Sequence, residues 1–573
     1  MKKVFVLFVL CGLFLQQFVS AQTQKIDKNG EKWVEKTLKS LTLREKIGQM
    51  IIMPLSGEFT NTQSEKFADM RRQIEQNKVG GFTLFRGEAN SIAAVTNEAQ
   101  KIAKIPLFFS ADYERGLRMQ LRTGTPFTTN MGVAASGDVQ AAYRQGKIIC
   151  EEMRAIGANW LFAPVADINN NPDNPVINIR SFGADPQRVG EFVAAVSRGT
   201  QEAGCLSTLK HFPGHGDTAT DSHIGLSIVP IDRARLNSVE LVPFQMGINS
   251  GVDSVMTAHL AVPQVTGDNL PGTLNPKIST GILRQELKFN GIITTDSMEM
   301  GAITKSFPNG ESAVMAVKAG ADVVLFPPNI EKAIEAIEAA VKKGEITEER
   351  INESVRRLLA AKYRLGLAQN RFVDLAKVNE LVEKPENVRE ANATAEKSIT
   401  LLRNSDNILP LTATKANKTL FVVLAADDDP IEGVALMPEI QKRAAQAKIV
   451  RLDPRSTDEE YKKVLNDARQ ADSIVLAPFV KRAAAKGTVA LPENQTNFVK
   501  QAIALEKPVA VIAFGSPYLI RQFPEAKNYI AAYAIEEVAQ TAAARAIFGE
   551  VPFAGKLPVS VPGIFEIGAG ITK

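Results

Sequence analysis

Only four histidines occur in the 573 residues, and three of them fall within thirteen positions, in the run Lys210-His211-Phe212-Pro213-Gly214-His215-Gly216-Asp217-Thr218-Ala219-Thr220-Asp221-Ser222-His223. Chance explains such clustering poorly. Imidazole is the side chain that trades a proton near neutral pH, and it is also the commonest metal ligand, so two chemistries are open. In the first, His211, His215 and His223 with Asp217 or Asp221 offer nitrogen and oxygen ligands to zinc. Against this, the run is rich in glycine, lacks the rigid helical spacing of common zinc motifs, and brings the charge of Lys210 to the site. In the second, Asp221 orients the ring of His223 and raises its basicity, making an acid/base pair. Such a pair needs a partner carboxylate elsewhere. Asp296, in Ile293-Thr294-Thr295-Asp296-Ser297-Met298, is the best placed; the bland alternative is a helix cap after a strand.

These residues need elements to bring them together. Eight short apolar runs, at 47–55, 79–85, 106–112, 159–168, 206–212, 254–259, 291–297 and 321–326, alternate with amphipathic stretches such as 139–156, 186–203, 236–249 and 330–343. A lead-in helix at 31–41 precedes them and a charged helix at 347–365 follows. Eight strand-helix units predict an α/β fold in which residues 22–367 form an N-terminal (β/α)8 TIM barrel. Polar residues close several strands: Asp112, Asp167, Lys210 with His211, His259 and Asp296. In a barrel those ends ring one face, and the 210–223 run becomes a loop over its mouth. Residues 368–415 read as a linker. Residues 416–573 carry further strands at 419–425, 448–452, 473–479, 508–514 and 529–534, which predict a smaller three-layer α/β sandwich. Phe514-Gly515-Ser516-Pro517 lacks the later glycines of a dinucleotide site, and nothing in the chain calls for a cofactor.

Composition narrows the class. Hydrophobic residues make up 45% and charged ones 23%, as in ordinary globular proteins. A formal charge of +4 gives no electrostatic footprint for nucleic acid. Lys2 and Lys3, the apolar run 4–15 and Val19-Ser20-Ala21 have the pattern of a secretory signal peptide over residues 1–21, so a periplasmic or secreted protein is expected. The run is too short for a membrane span, and Cys11 follows Leu10 rather than a small residue, so no membrane anchor is expected. Cys150 and Cys205 then remain, and are expected to be two buried thiols rather than a disulfide framework.

Lys210 to His223 resembles the Lys-His-Phe-Pro-Gly-His-Gly, four residues, Asp-Ser-His signature of the β-N-acetylglucosaminidases of glycoside hydrolase family 3, the group that includes muropeptide-recycling enzymes. Supporting motifs follow in order: Ser110-Ala111-Asp112-Tyr113-Glu114, Phe162-Ala163-Pro164-Val165-Ala166-Asp167, Arg180-Ser181-Phe182-Gly183, Met256-Thr257-Ala258-His259 and Thr295-Asp296-Ser297-Met298. Gly555-Lys556-Leu557-Pro558-Val559-Ser560 looks like the close of the second domain found in many members. The resemblance implies a retaining double displacement with Asp296 as nucleophile, His223 paired with Asp221 as acid/base, and Asp112, Arg180, Lys210 and His211 on sugar hydroxyls. Most retaining glycosidases use two carboxylates. A neutral imidazole base puts no second negative charge beside the glycosyl-enzyme and leaves room for an anionic acceptor such as phosphate. Compact cytoplasmic members carry an arginine eight residues after the aspartate matching Asp112; here Gln120 stands there, with Arg118 and Arg122 close by in sequence.

The expected activity is exo-acting release of terminal N-acetylglucosamine from peptidoglycan fragments or short oligosaccharides. Only Trp33 and Trp160 could supply indole platforms, which argues against gripping a long polysaccharide and for a small carbohydrate partner. The alternatives are a family 3 β-glucosidase or an N-acetylglucosaminide phosphorylase, and, from another class, a non-enzymatic sugar- or metal-binding barrel.

Overall fold

The structure is a computed structural model that describes residues 26–218, 221–222, 224–427, 429–482 and 486–573. The expected signal segment 1–21 and His223 lie outside the described residues.

Eight parallel strands form the first unit: β1 (Ile51–Gly57), β2 (Gly81–Gly87), β3 (Phe108–Ala111), β4 (Trp160–Leu161), β5 (Thr208–Phe212), β6 (Ser254–Thr257), β7 (Ile292–Thr295) and β8 (Val324–Leu325). They run as two curled parallel sheets, β8-β1-β2-β3-β4 and β5-β6-β7. Single bridges, Trp160 with Leu206, Val165 with Lys210 and Thr294 with Val323, join the two into a closed barrel. Each strand falls on one of the eight apolar runs. The reason is burial on both faces: helices cover the outside and side chains fill the lumen, so the runs are apolar throughout instead of alternating. Trp160 belongs to that filling. Its Nε1 donates to Thr208 Oγ1 at 2.8 Å and Ser254 Oγ at 2.9 Å, and its ring meets Phe108 and Phe162 edge-on. Trp33 packs near Tyr363, so neither indole is a sugar platform.

The expected helix 236–249 is broken into Arg233–Ser238 and Leu241–Asn249. Pro243, which has no N–H to donate and would clash with the preceding turn, fits only in the first turn of the second piece.

The second unit is one six-stranded sheet. Its strands are β9 (Thr400–Asn404), β10 (Thr419–Ala425), β11 (Lys448–Leu452), β12 (Ser473–Val480), β13 (Val509–Gly515) and β14 (Asn528–Ala531), in the order β9-β14-β13-β12-β10-β11, with β9 alone antiparallel. Alternate residues of β10 enter different cores: Leu420, Val422 and Leu424 one, Phe421 and Val423 the other. Both faces are therefore covered, which makes three layers. The stretch read as a linker, 368–415, departs from that reading. It holds the helix Pro385–Ser398 and β9 itself. Strand β9 has a polar end, Arg403-Asn404, and is held by edge pairing to β14 rather than by a long apolar run.

Cys150 and Cys205 are also corrected: they form a disulfide that ties the helix Val139–Ala155 to the segment leading into β5. Those two positions lie 55 residues apart, and only the packing of the barrel helices brings them together.

The two units meet along a polar seam. Arg115 pairs with Glu536 at 2.6 Å, Thr129 Oγ1 donates to the Tyr533 carbonyl at 3.0 Å, and Asn169 Nδ2 donates to Tyr518 Oη at 2.9 Å.

Candidate active site

Strand ends at the barrel mouth bring Asp112, Lys210, His211 and Asp296 around one cavity of about 420 Å³, and the short 3-10 turn Asn178–Arg180 adds Arg180. Lys210, on β5, is almost wholly buried, so its ammonium needs partners. It finds Asp112 Oδ1 at 2.6 Å, just past β3, and Glu114 Oε1 at 2.8 Å. Arg180 grips the same Glu114 with two parallel bonds, Nη2 to Oε1 at 2.7 Å and Nε to Oε2 at 3.1 Å. Burial alone would raise the Glu114 pKa, but Arg180 and Lys210 outweigh it and hold the carboxyl well below its ordinary range. Burial likewise works against the Lys210 charge, and Asp112 and Glu114 raise its pKa despite that. Two cations are thus fixed by one buried anion, and Lys210 leans one bond further out to Asp112.

His211 is aimed from behind. Its Nδ1 lies 2.6 Å from Asp167 Oδ2, and its Nε2 lies 3.3 Å from Arg180 Nη2. Arginine can only donate, so Nε2 accepts and Nδ1 donates to Asp167. Asp167 also accepts the backbone N–H groups of His211 and His215, the latter at 2.7 Å. Burial would raise its pKa; His211 and His215 together lower it.

His215 has a different office from the one its cluster suggests. Thr218 Oγ1 donates to the His215 carbonyl and therefore accepts from Nδ1 at 2.8 Å, leaving Nε2 to accept from Ser222 at 2.9 Å. Burial and the neighbouring His211 push its pKa down to about 4, against the pull of Asp167 and Asp296. It is a neutral strut, tying the start of the loop to the residue between Asp221 and His223. Asp221 and Ser222 are buried beside it. Asn174 Nδ2 holds the loop from below through the carbonyls of His215 and Gly216, at 2.9 and 2.8 Å. All four ring nitrogens of His211 and His215 have protein partners, and among the described residues no group of three or more His, Cys, Asp or Glu is arranged to hold a metal.

Asp296 stands one residue beyond β7, partly open to the cavity. The Ser297 N–H donates to its Oδ1 at 2.7 Å, and its own N–H donates to the Thr257 carbonyl at 3.1 Å. His259 Nε2 reaches the Ser297 carbonyl at 2.8 Å and steadies the turn. The result is a fixed, ionisable oxygen pair on the wall of a pocket whose other polar groups can bind hydroxyls. Such an arrangement can attack or stabilise an electron-poor carbon of a sugar.

Gln120 lines the cavity, whereas Arg118 is taken up by Glu383 and Glu537, and Arg122 is exposed beside Glu88. The guanidinium that does line the cavity, besides Arg180, is Arg482 of the second unit. Sequence reasoning assigned no role to Glu114 or Arg482. Glu114 lay within a quoted motif two residues after Asp112; Arg482 carried no signal.

Two family models cover the chain: the glycosyl hydrolase family 3 N-terminal domain matches residues 42–361, and the glycosyl hydrolase family 3 C-terminal domain matches residues 399–566. A β-N-acetylglucosaminidase/β-glucosidase of Cellulomonas fimi is 28% identical over 94% of this chain and 98% of its own. The β-hexosaminidase A of Pseudoalteromonas piscicida is 31% identical over 65% of this chain and 69% of its own. Among solved structures, a family 3 β-N-acetylglucosaminidase from Paenibacillus sp. str. FPU-7 is 34% identical with a TM-score of 0.82, covering 91% of this chain and 99% of that one. A β-glucoside phosphorylase is 27% identical with a TM-score of 0.85, covering 94% and 97%. With more than half its length matched by the N-terminal model, and the strand-end cavity lying inside that match, the chain belongs to glycosyl hydrolase family 3 and is a glycoside hydrolase with β-hexosaminidase homologues.

Proposed function

We propose that the chain is an exported, exo-acting, retaining β-N-acetylhexosaminidase that releases terminal N-acetylglucosamine from peptidoglycan fragments or short oligosaccharides. The observation that supports this reading is one cavity lined both by the fixed Asp296 carboxylate and by His215 and Ser222, the latter next in sequence to Asp221 and His223. The cavity volume of about 420 Å³ is toward the small end for ligand pockets and suits a terminal sugar rather than a run of them. Relatives whose names include N-acetylglucosaminidase and hexosaminidase favour the N-acetylated substrate.

In this reading Asp112, Arg180, Lys210 and His211 bind sugar hydroxyls. Asp296 attacks the anomeric carbon while His223, oriented by Asp221, gives its proton to the leaving oxygen. The imidazole then takes a proton from the incoming acceptor, whose oxygen displaces the Asp296 carboxylate. A second reading, transfer to phosphate or action on β-glucosides, is favoured by the likeness to the β-glucoside phosphorylase and by the double name of the Cellulomonas relative. Export is supported by the pattern of residues 1–21 and by the Cys150–Cys205 disulfide, since disulfides persist in oxidising compartments.

The test is a panel of nitrophenyl sugars, with and without phosphate, run on wild type, Asp296→Ala and His223→Ala. Asp296→Ala is expected to lose several orders of magnitude in turnover, and a slow fluorinated substrate to label Asp296. His223→Ala is expected to slow natural disaccharides beyond nitrophenyl glycosides by about 10²- to 10⁴-fold, because only the former need a proton on the leaving oxygen. Label on another carboxylate, or equal losses on both substrate types, overturns the assignment. N-terminal sequencing of the native protein is expected to begin near Gln22; an intact Met1 overturns export.

A further inference from the structure

Arg482 lies two residues beyond the end of β12, at the edge of the second sheet that faces the barrel mouth. It lines the cavity that holds Asp296, and it also lines a smaller cavity of about 60 Å³ along the seam between the two units. Glu114, Met119 and Arg180 are shared by both, so Arg482 stands where the catalytic cavity continues into the seam.

Every cation around it is already answered. Arg180 and Lys210 are bound to Glu114, Arg115 to Glu536, and Lys481 to Asp429. Arg482 forms no ion pair among the described residues, and its buried Nε has no hydrogen-bond partner among them. Arg482 is half-buried with its Nε shielded from solvent, and withdrawing a guanidinium from water without a counter-charge costs the fold. Burial and the nearby Arg180 bear on its charge in the same unfavourable direction; Glu114 and Asp221 oppose them only through space. Ser222 and His215, of the segment that the glycosidase reading gives the acid/base, line the same cavity as Arg482.

We propose that Arg482 is a specificity-determining residue that binds an anionic group, a carboxylate or phosphate oxygen pair, next to the scissile bond. This rests on the glycosidase reading above and adds the chemical class of what occupies the site beyond the first sugar. The planar guanidinium matches two oxygens of either anion with parallel bonds, and the ligand supplies the charge that the fold withholds. Two sources carry that chemistry: an acidic leaving sugar, as in a disaccharide whose second residue bears a lactyl ether carboxylate, or free phosphate as acceptor. With phosphate, its oxygen bonds to the anomeric carbon as the bond to the Asp296 oxygen breaks. Asp296 leaves as carboxylate with the electron pair, and the phosphate proton passes to His223.

The experiment compares wild type, Arg482→Gln and Arg482→Lys on N-acetylglucosaminyl-N-acetylmuramic acid, its carboxyl methyl ester and N,N′-diacetylchitobiose. A parallel arm uses the nitrophenyl N-acetylglucosaminide with inorganic phosphate and reads sugar 1-phosphate. For an acidic leaving sugar, Arg482→Gln lowers kcat/KM on the acid relative to its ester by about 10- to 100-fold, the usual weight of a charge-assisted pair, and Arg482→Lys restores part of it. For phosphate, the same variant leaves that ratio alone and lowers the yield of sugar 1-phosphate by a like factor. Ratios within about twofold of wild type in both arms, in whichever variant unfolds thermally as wild type does, overturn the proposal while the glycosidase reading stands. A wild-type enzyme that cleaves none of the substrates overturns both.

Discussion

Glu114 is the residue on which the cationic half of the pocket depends, and Glu114→Gln tests that dependence. The substitution keeps the shape and removes the charge. In the wild type three short contacts converge on the carboxylate, two from Arg180 and one from Lys210, and all three side chains are largely shielded from water. An amide offers only one acceptor oxygen, and its NH2 faces groups that can only donate. At least one cation is then buried without an answer. Removing one member of a buried ion pair costs about 3–5 kcal/mol. Lys210 keeps Asp112 as a partner, so the lower end applies, about 3 kcal/mol. In thermal unfolding that is a loss of about 5 °C for a unit of this size. The catalytic cost runs through placement. Arg180 and Lys210 repel one another once Glu114 is neutral, and a displacement of about 1 Å in substrate-positioning groups costs about 10²-fold in kcat/KM. The assay is nitrophenyl N-acetylglucosaminide hydrolysis at pH 7 beside a thermal melt. A Glu114→Gln enzyme with wild-type melting and wild-type kcat/KM refutes the idea that this carboxylate organises the pocket.

Three further outcomes are expected. Gly216→Ala should cost stability and about 10²-fold in turnover, because a Cβ there would sit 1.6 Å from the Ile168 carbonyl oxygen and push the loop off its seat; Gly225→Ala, whose Cβ meets nothing within 4 Å, is the control, and equal behaviour of the two refutes the argument. His215 is held neutral to about pH 4 in the fold but binds a proton near 6.5 when unfolded, so its contribution is present above pH 6.5 and is lost between there and 4; urea unfolding at pH 7 and pH 5 should differ by about 2 kcal/mol from this group, and a His215→Gln variant that keeps the whole difference contradicts it. The disulfide closes a separation of 55 residues, for which chain entropy gives about 4 kcal/mol; the Cys150→Ser, Cys205→Ser double variant should melt correspondingly lower and lose its sensitivity to reductant, and a variant as stable as the oxidised enzyme refutes the entropy argument.

The barrel was legible because its strands are buried on both faces and so write themselves as unbroken apolar runs ending in a polar residue. Asp112, Asp167, Lys210 and Asp296 all sit at such ends, which is why position alone singled them out. Other features are set by packing across long stretches of chain. Glu114 is an acid in a short motif, and nothing local says that Arg180, 66 residues on, and Lys210 will close around it. The pairing of Cys150 with Cys205 likewise depends on how two helices lie over the barrel, so a count of cysteines pointed to free thiols. Strand β9 was missed because an edge strand needs only one partner and no apolar run. Sequence reasoning assigned His211 and His223 separate roles and His215 none outside the zinc alternative. His211 is fixed by Asp167 at the cavity wall, while His215 has both nitrogens spent on Thr218 and Ser222.

That division bears on how the loop works. In the proposed reading, the general acid on this glycine-containing segment needs a defined position against the anomeric carbon, and Gly214 and Gly216 do not supply it. Stiffness comes from buried polar bonds instead: His215 to Ser222 across the loop, Asn174 to the carbonyls of His215 and Gly216 beneath it, and Asp167 to the His215 N–H at its root. Each of these partners is deeply buried, where an unmade bond is expensive, so the bonds act together on His215, Gly216 and Ser222. The second unit closes the remaining side with Arg482, over the same cavity. A strand-end carboxylate on one wall, His215 and Ser222 of the 210–223 segment on another and a guanidinium from a separate sheet thus meet at one cavity.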